Sequence, residues 1–366
     1  MSGLQGDAGP ATHSSLCFVM DNTFPVLHGV KDLRLETHPI PELRDDQVLI
    51  RMSKVGLCGT DISMVYKGRT ADLDVTFPTG VGHEASGVVS KCGKDVTHVK
   101  PGDRVTIEPG SFCRTCDHCL SGRYNVCDKS SFHASVAMYP GCLARYFVYQ
   151  GHLTYKLPDS ISDEEGAIVE PLAVAVHACR RAGVWAGQSM LVTGAGPIGL
   201  LCLVVAKALG ATNTLVTDIK ESRLELAKKM GADHTLLVGS GTSQSQAKQV
   251  HQMMGCEPDV TMECSGSQAG ISLAIYATKS RGKVMQVGLS GPEVTVPLVH
   301  AGVREVDIMG VFRYLNTYPI AIDLLAKKLV DVNPLITHRF KFEEFQKAFD
   351  MFYKGEDGAV KCMISC

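Results

Sequence analysis

The sequence predicts a mixed α/β chain in two parts: a β-rich domain first and a doubly wound parallel sheet second. Three observations carry this. Up to about residue 165, short strand-like runs are punctuated by Gly, Pro and Asp. Beyond it, apolar strand segments alternate with helical patterns, the signature of a parallel sheet covered on both faces. And 366 residues exceed one ordinary core, so two are expected.

Composition excludes several classes. Apolar residues make 45% and charged residues 20%, ordinary for a soluble globular chain. Lys plus Arg is 36 against 38 Asp plus Glu, a net charge of −2, so no basic excess draws nucleic acid or an anionic membrane. The start, MSGLQGDAGPATHSS, lacks the basic and apolar regions of a secretory leader and reads as a loose tail. The run GLLCLVVAKALGA is broken by Lys207 and is too short to span a bilayer. Fourteen cysteines in so long a chain, without a leader, point to a reducing cytoplasmic setting and away from disulfides.

In the first half, QVLIRMSKVGL, SGVVSKCG and DRVTIEPG read as strands. Two clusters interrupt them: GLCGTD, with Cys58, Thr60 and Asp61, and GVGHEASG, with His83 and Glu84. Alone, each is weak, because a single Cys is usually core and a His-Glu pair usually lies on the surface. Further on, VEPLAVAVHAC sets Glu170 among apolar residues, where an unpaired carboxylate is costly. One Cys, one His and carboxylates can supply three zinc ligands and leave a fourth position open.

Between these clusters lies CRTCDHCLSGRYNVC, with Cys113, Cys116, Cys119 and Cys127 spaced x2, x2, x7. Four thiolates from one loop saturate a tetrahedral zinc, leaving no position for substrate, so the loop reads as a structural site. An iron–sulfur cluster is the alternative. Cys17, Cys92, Cys179, Cys202, Cys264, Cys362 and Cys366 read as small buried hydrophobes.

The second half opens with MLVTGAGPIGLLCLVVAKALGA. A strand at 190–193 runs into Gly194-Ala-Gly196-Pro-Ile-Gly199 and then a helix. The first glycine serves the tight turn, the second the approach of backbone to a pyrophosphate, the third the packing of helix on strand. Pro197 fits an early helical position, and the helix N-terminus favours the diphosphate. TLVTDI ends near Asp218, whose carboxylate suits ribose hydroxyls and repels a 2′-phosphate, favouring NAD over NADP. Arg223 is placed to pair with Asp218 or to stack on adenine. KESRLELAKKMG, SQAKQVHQMMG and SQAGISLAIYATK read as helices, and HTLLVG, DVTMEC, GKVMQVGLSG and VDIM as strands. Ligands of such sheets bind beyond the carboxyl ends of the strands, which singles out Val287-Gly288-Leu289 and Gly310-Val311-Phe312.

Taken together, GHEASG, the four-cysteine loop, the EP following a β-rich domain and GAGPIG resemble the zinc-dependent medium-chain alcohol dehydrogenases. KLPD, EEGA, EPLAV, HACRR, the TD of VTDI, the EC of TMEC, REVDI, GVFRY and THRF resemble the sorbitol-type polyol branch, in one register from about residue 20 to the end. The resemblance implies a GroES-like catalytic domain over 1–171 and 313–366, a Rossmann NAD-binding domain over 172–312, NAD in the cleft between them, and a homotetramer. It places catalytic zinc on Cys58, His83 and Glu84, with water as fourth ligand and a second, structural zinc in the cysteine loop. Glu170 then contacts the zinc-bound water or substrate, with direct ligation left open. Thr60 or Glu170 carries the proton away. Phe312, Arg313 and Tyr314 match the wall of the substrate pocket, with Phe132 and Ser135 aligned more loosely beside it. Gly194, Gly196, Ile198, Gly199, Asp218, Arg223, Val287, Gly288, Leu289, Val311, Phe312 and Arg313 face the cofactor. The implied reaction moves a hydride from a secondary alcohol of sorbitol or xylitol to NAD, giving a ketose. One departure bears on substrate: the branch has His-Tyr where this chain has Ser63-Met64, and Met64 is expected in the pocket in place of that tyrosine. Another secondary alcohol or a diol is therefore the nearest alternative. A non-catalytic NAD-binding zinc protein would need a broken catalytic set, and every position is filled.

Overall fold

The computed structural model describes residues 21–70, 73–130, 141–289, 291 and 293–366. Cys17, Phe132 and Ser135 lie outside the described residues. The first half forms an antiparallel sheet around the Gln47–Gly56 strand, which pairs with Glu84–Cys92 on one side and with Tyr146–Gln150 and Lys361–Ser365 along its length. Val48, Ile50 and Met52 alternate into the core at 0–1% exposure, as period-2 patterning requires. The last strand also runs parallel to Ile336–Lys341, so the C-terminal segment returns to the first-half sheet. A hairpin of Asp21–Gly29 and Asp32–Pro39 lies beside it.

One element departs from the all-β reading of this half. Helix α1, Gly59–Lys67, starts at Cys58 and stops at Gly68, whose φ of 66° is the left-handed C-cap that glycine adopts freely. At nine residues, it is too short for its periodicity to stand out among strands.

The second half is a six-stranded sheet, every pair parallel, in the order third, second, first, fourth, fifth, sixth. Its strands are Ser189–Thr193, Asn213–Asp218, His234–Leu237, Val260–Glu263, Lys283–Gln286 and Asp307–Gly310. The order reverses at the first strand, so a crevice opens beyond the carboxyl ends of Ser189–Thr193 and Val260–Glu263. Helix α2, Asp117–Leu120, lies within the cysteine loop. Helix α3, Asp163–Ala182, begins with a reciprocal Ser162–Glu165 capping box and runs through the expected boundary at 171. It joins the two sheets: Ser86 Oγ donates to Asp163 O at 2.6 Å and Cys179 Sγ lies 3.7 Å from Cys202 O on α4, Pro197–Ala208. Among the described residues no helix is long and apolar enough to cross a membrane.

Candidate catalytic and cofactor sites

Cys58, His83 and Glu84 come from three places: the start of α1, the loop after Thr79–Gly80, and the first residue of the Glu84–Cys92 strand. Their ligand atoms all lie within 4.8 Å of one another. His83 and Glu84 are 3% and 1% exposed, opposite to the surface position usual for such a pair. One carboxylate arranges them. Asp61 Oδ2 accepts the Cys58 N–H at 3.0 Å, while Oδ1 accepts the Gly82 N–H at 2.9 Å and lies 3.3 Å from His83 Nδ1. Asp61 thus ties the Cys58 backbone, the Gly82 backbone and the His83 ring together. Burial works against a charged His83, yet Asp61 and Cys58 hold it well above its ordinary value. The donor set is anionic and favours a positive charge at this point, as a zinc site of mixed sulfur, nitrogen and oxygen ligands does.

Glu170 sits on α3 at 5% exposure. Burial, with Glu84 nearby, pushes its carboxyl up to about 7, against His83, Lys361 and Arg313. The fold therefore brings Glu170 into the electrostatic reach of His83 and Glu84, and Arg313 into that of Glu170. Thr60 is half-buried in the first turn of α1, two residues from Cys58.

The cysteine loop fits a second ion by size. Sulfurs at about 2.3 Å around a tetrahedral zinc stand about 3.8 Å apart. Here Cys113–Cys119, Cys116–Cys127 and Cys113–Cys127 are separated by 3.9, 3.8 and 3.5 Å, and all four sulfurs belong to free cysteines. The Cys116 N–H points at Cys113 Sγ from 3.3 Å, and neighbouring donors, led by the backbone N–H of Thr115, pull the Cys113 thiol down to about 5, while burial and the thiols of Cys127, Cys116 and Cys113 push Cys119 up to about 12. A thiolate at one of four close sulfurs disfavours a second, so without a positive charge at the centre the four do not ionise together.

In the crevice, Gly194 has φ 95°, and a Cβ on Gly199 would stand 1.9 Å from Gly194 O, so neither position admits a side chain. A Cβ on Gly196 would meet nothing within 4 Å. The second glycine faces open space at the helix N-terminus, the cradle a pyrophosphate requires. Asp218 Oδ2 accepts the Ala195 N–H at 2.8 Å and Oδ1 the Lys220 N–H at 2.9 Å, with Arg223 Nη1 3.8 Å away. Each oxygen keeps acceptor capacity for a ribose hydroxyl. Ile198 packs against the main core. Val287 and Gly288 both donate backbone N–H to Glu263 O at 2.8 Å, and Leu289 and Phe312 are 66% and 45% exposed beyond the carboxyl ends of their strands. Val311 lies half-buried between them.

Several placements differ from sequence expectation. Met64 is fully buried in the core of the β domain, not at a pocket surface. Asp61, Met64 and Val65 occupy the inward face of α1 at the i, i+3, i+4 spacing. Tyr314 is 2% exposed, and its hydroxyl donates to Pro109 O at 3.1 Å. Arg313 lies beside it in the left-handed region at φ 52°, its guanidinium 4.7 Å from the Phe312 ring.

Two groups had no assigned part. Lys361, in the last strand, is 1% exposed and donates to Glu84 and to Leu57 O. Its signal was present as a lone lysine in the apolar run AVKCMISC. Glu263, 0% exposed, collects Thr193, Ser265, Gly266 and Gln286 and knits the carboxyl ends of three strands together.

Residues 44–159 match the model of the alcohol dehydrogenase GroES-like domain, and 197–327 that of zinc-binding dehydrogenases. The chain is 48% identical over 345 residues to a sorbitol dehydrogenase of Gallus gallus, covering 94% of this chain and 96% of that protein. It is 48% identical over 346 residues to that of Homo sapiens, covering 94% and 96%. Among solved structures, an Escherichia coli oxidoreductase of unknown specificity superimposes with a TM-score of 0.87 at 34% identity, over 94% of this chain and 99% of that one.

Proposed function

The chain belongs to the zinc-dependent medium-chain alcohol dehydrogenases, and from that premise we propose how its residues carry out polyol oxidation. It is an NAD- and zinc-dependent dehydrogenase that takes a hydride from a secondary alcohol of a polyol and leaves a ketose. Cys58, His83 and Glu84 hold the catalytic zinc and the four loop cysteines a second. The metal supplies Lewis-acid polarisation of the alcohol oxygen and NAD the hydride acceptor.

Orientation and the proton fall to the protein. Thr60, beside Cys58, would take up the hydroxyl proton and pass on its own. Glu170, its carboxyl raised to about 7, is the second group able to hold that proton near neutral pH. Arg313, close enough to Glu170 to lower its carboxyl, donates to the remote hydroxyls. Tyr314 contributes to the wall by supporting this segment through Pro109 rather than by an open hydroxyl. A site that hydrogen-bonds hydroxyls rejects analogues lacking them, so ethanol is a poor substrate. The glycines 194, 196 and 199 cradle the pyrophosphate, Asp218 and Arg223 hold the adenosine half, and Val287, Gly288, Leu289, Val311 and Phe312 line the nicotinamide half.

The observation that supports this reading is the convergence of Cys58, His83 and Glu84 within 4.8 Å, with the buried Glu170 carboxyl responding to His83 and Glu84. We extend it to a homotetramer in the cytoplasm. The Asp307–Gly310 strand pairs on one side only, and Val299, Val303 and Ile308 are exposed at 80%, 77% and 42%, a patch that suits a second copy. Measuring kcat/KM with NAD for sorbitol, xylitol, ribitol, arabinitol and short diols tests the substrate assignment. Polyols should lead; a diol ahead of every polyol would replace them as substrate.

A further inference from the structure

We propose that the four-cysteine lobe is a positioning device for the wall of the alcohol pocket, acting through Tyr124 and Asn125. This rests on the assignment of Phe312 and Arg313 to that wall. Residues 310–317 leave the last parallel strand as an irregular segment. Arg313 and Asn316 sit in the left-handed region at φ 52° and 51°, where a side chain is disfavoured, so outside contacts must hold the backbone there. The anchors fall along its length. Arg181 Nε donates to Gly310 O at 2.5 Å, Asn125 Nδ2 to Phe312 O at 3.0 Å, Tyr314 Oη to Pro109 O at 3.1 Å, the Asn316 N–H to Tyr124 Oη at 3.0 Å, and Thr317 Oγ1 to Ala173 O at 3.0 Å.

Two of these anchors, bracketing Arg313, come from the Tyr124–Val126 turn. That turn is the last stretch before Cys127, whose N–H donates to Tyr124 O at 3.0 Å. The path of the turn is set by the cysteine cluster on one side. On the other it is set by Glu108, a 1% exposed carboxylate that accepts Tyr124 Oη and Tyr155 Oη, each at 2.7 Å. Phe112 packs against the Tyr124 ring at 4.6 Å. Asn125 is itself 7% exposed, so its amide is committed to the Phe312 carbonyl. The chain of contact runs from the thiols to the turn, from the turn to the Phe312 and Asn316 backbone, and from there to the Arg313 guanidinium. Tyr124 and Asn125 are positioning residues: neither touches the reacting atoms.

The test uses the full-length zinc-loaded enzyme as Y124F, N125A and R313A. Y124F keeps the ring and its Phe112 contact and removes only the hydroxyl, so it answers should N125A fail to fold. For N125A, KM for sorbitol should rise about threefold to tenfold, the loss of one neutral hydrogen bond, and for Y124F, which loses both the Asn316 N–H bond and the bond to Glu108, by at least that much. Their kcat and zinc content should stay at wild-type values, and amide exchange across 310–317 should quicken. Unchanged KM and unchanged exchange in Y124F, alongside a raised KM in R313A, overturn the positioning role alone. An R313A enzyme with wild-type KM for sorbitol and wild-type affinity for NADH overturns the pocket assignment, and the proposal with it.

Discussion

Lys361 Nζ lies 2.7 Å from each carboxylate oxygen of Glu84, and both side chains are buried. A strand near the end of the chain thus holds the carboxylate that opens a strand 277 residues earlier. The ammonium would lose charge on burial alone, but Glu84 keeps it above its ordinary value. Removing one partner of a buried pair costs about 3–5 kcal/mol, because the other charge is left unpaired. Lys361→Met is expected to lower zinc affinity at the Cys58–His83–Glu84 site by about 10- to 100-fold, as loss of groups supporting a metal ligand does. Metal analysis after mild chelation should show one zinc per subunit in the variant and two in the wild type. Two in both would mean that Glu84 keeps its place without the lysine.

We assign a second zinc to the cysteine loop. Cys116→Ser removes one of four sulfurs and should leave one zinc per subunit with a lower Tm, while the folded remainder still binds NADH. Fully active, fully stable protein with one zinc before mutation would rule out the structural site.

We assign the choice between the two dinucleotides to Asp218. NAD should be preferred by at least about tenfold in kcat/KM, about 1.4 kcal/mol, and Asp218→Ala should narrow that gap by removing repulsion of the 2′-phosphate. Comparable use of NADP by the wild type would show that the strand-end carboxylate has another role.

Met64 tests the difference between alignment and packing. Because it is 0% exposed in the β-domain core, Met64→Tyr overfills a packed site and should cost about 1–3 kcal/mol of stability. The ratio of kcat/KM for sorbitol over a short diol should stay constant. A rise in that ratio at unchanged stability would put the side chain in the pocket after all.

His177 is one source of acid sensitivity. Burial, then Arg181 and Arg180, push His177 down from 6.5 to about 4. Between these values the unfolded chain binds a proton that the folded helix refuses. This contribution to stability is therefore complete above pH 6.5 and declines as pH falls towards 4. Denaturant unfolding of His177→Gln should lose less stability than the wild type between pH 7 and pH 5. Parallel loss in both proteins would assign the decline to other groups.

What the sequence determined by itself is what short-range chemistry specifies. Alternating apolar residues define the Gln47–Gly56 strand, and Gly194, Gly196 and Gly199 define one turn whose backbone excludes side chains. Four cysteines between 113 and 127 lie close enough along the chain for their spacing to name a metal geometry. Family resemblance joined Cys58, His83 and Glu84, although nothing local to any of them marks a ligand. The tertiary structure decided everything that depends on distant partners. Asp61 became the bridge between Cys58 and His83 only because the loop at Gly82 folds over α1. Met64 went to the core because its helical face points inward, whatever residue a relative carries there. Lys361 reached Glu84 because the chain returns to its first sheet, and Tyr124 reached Asn316 because the cysteine lobe docks on the segment after the last parallel strand. Burial and charge pairing are properties of positions in space, so residues far apart in sequence acquire them only when the chain has closed around them.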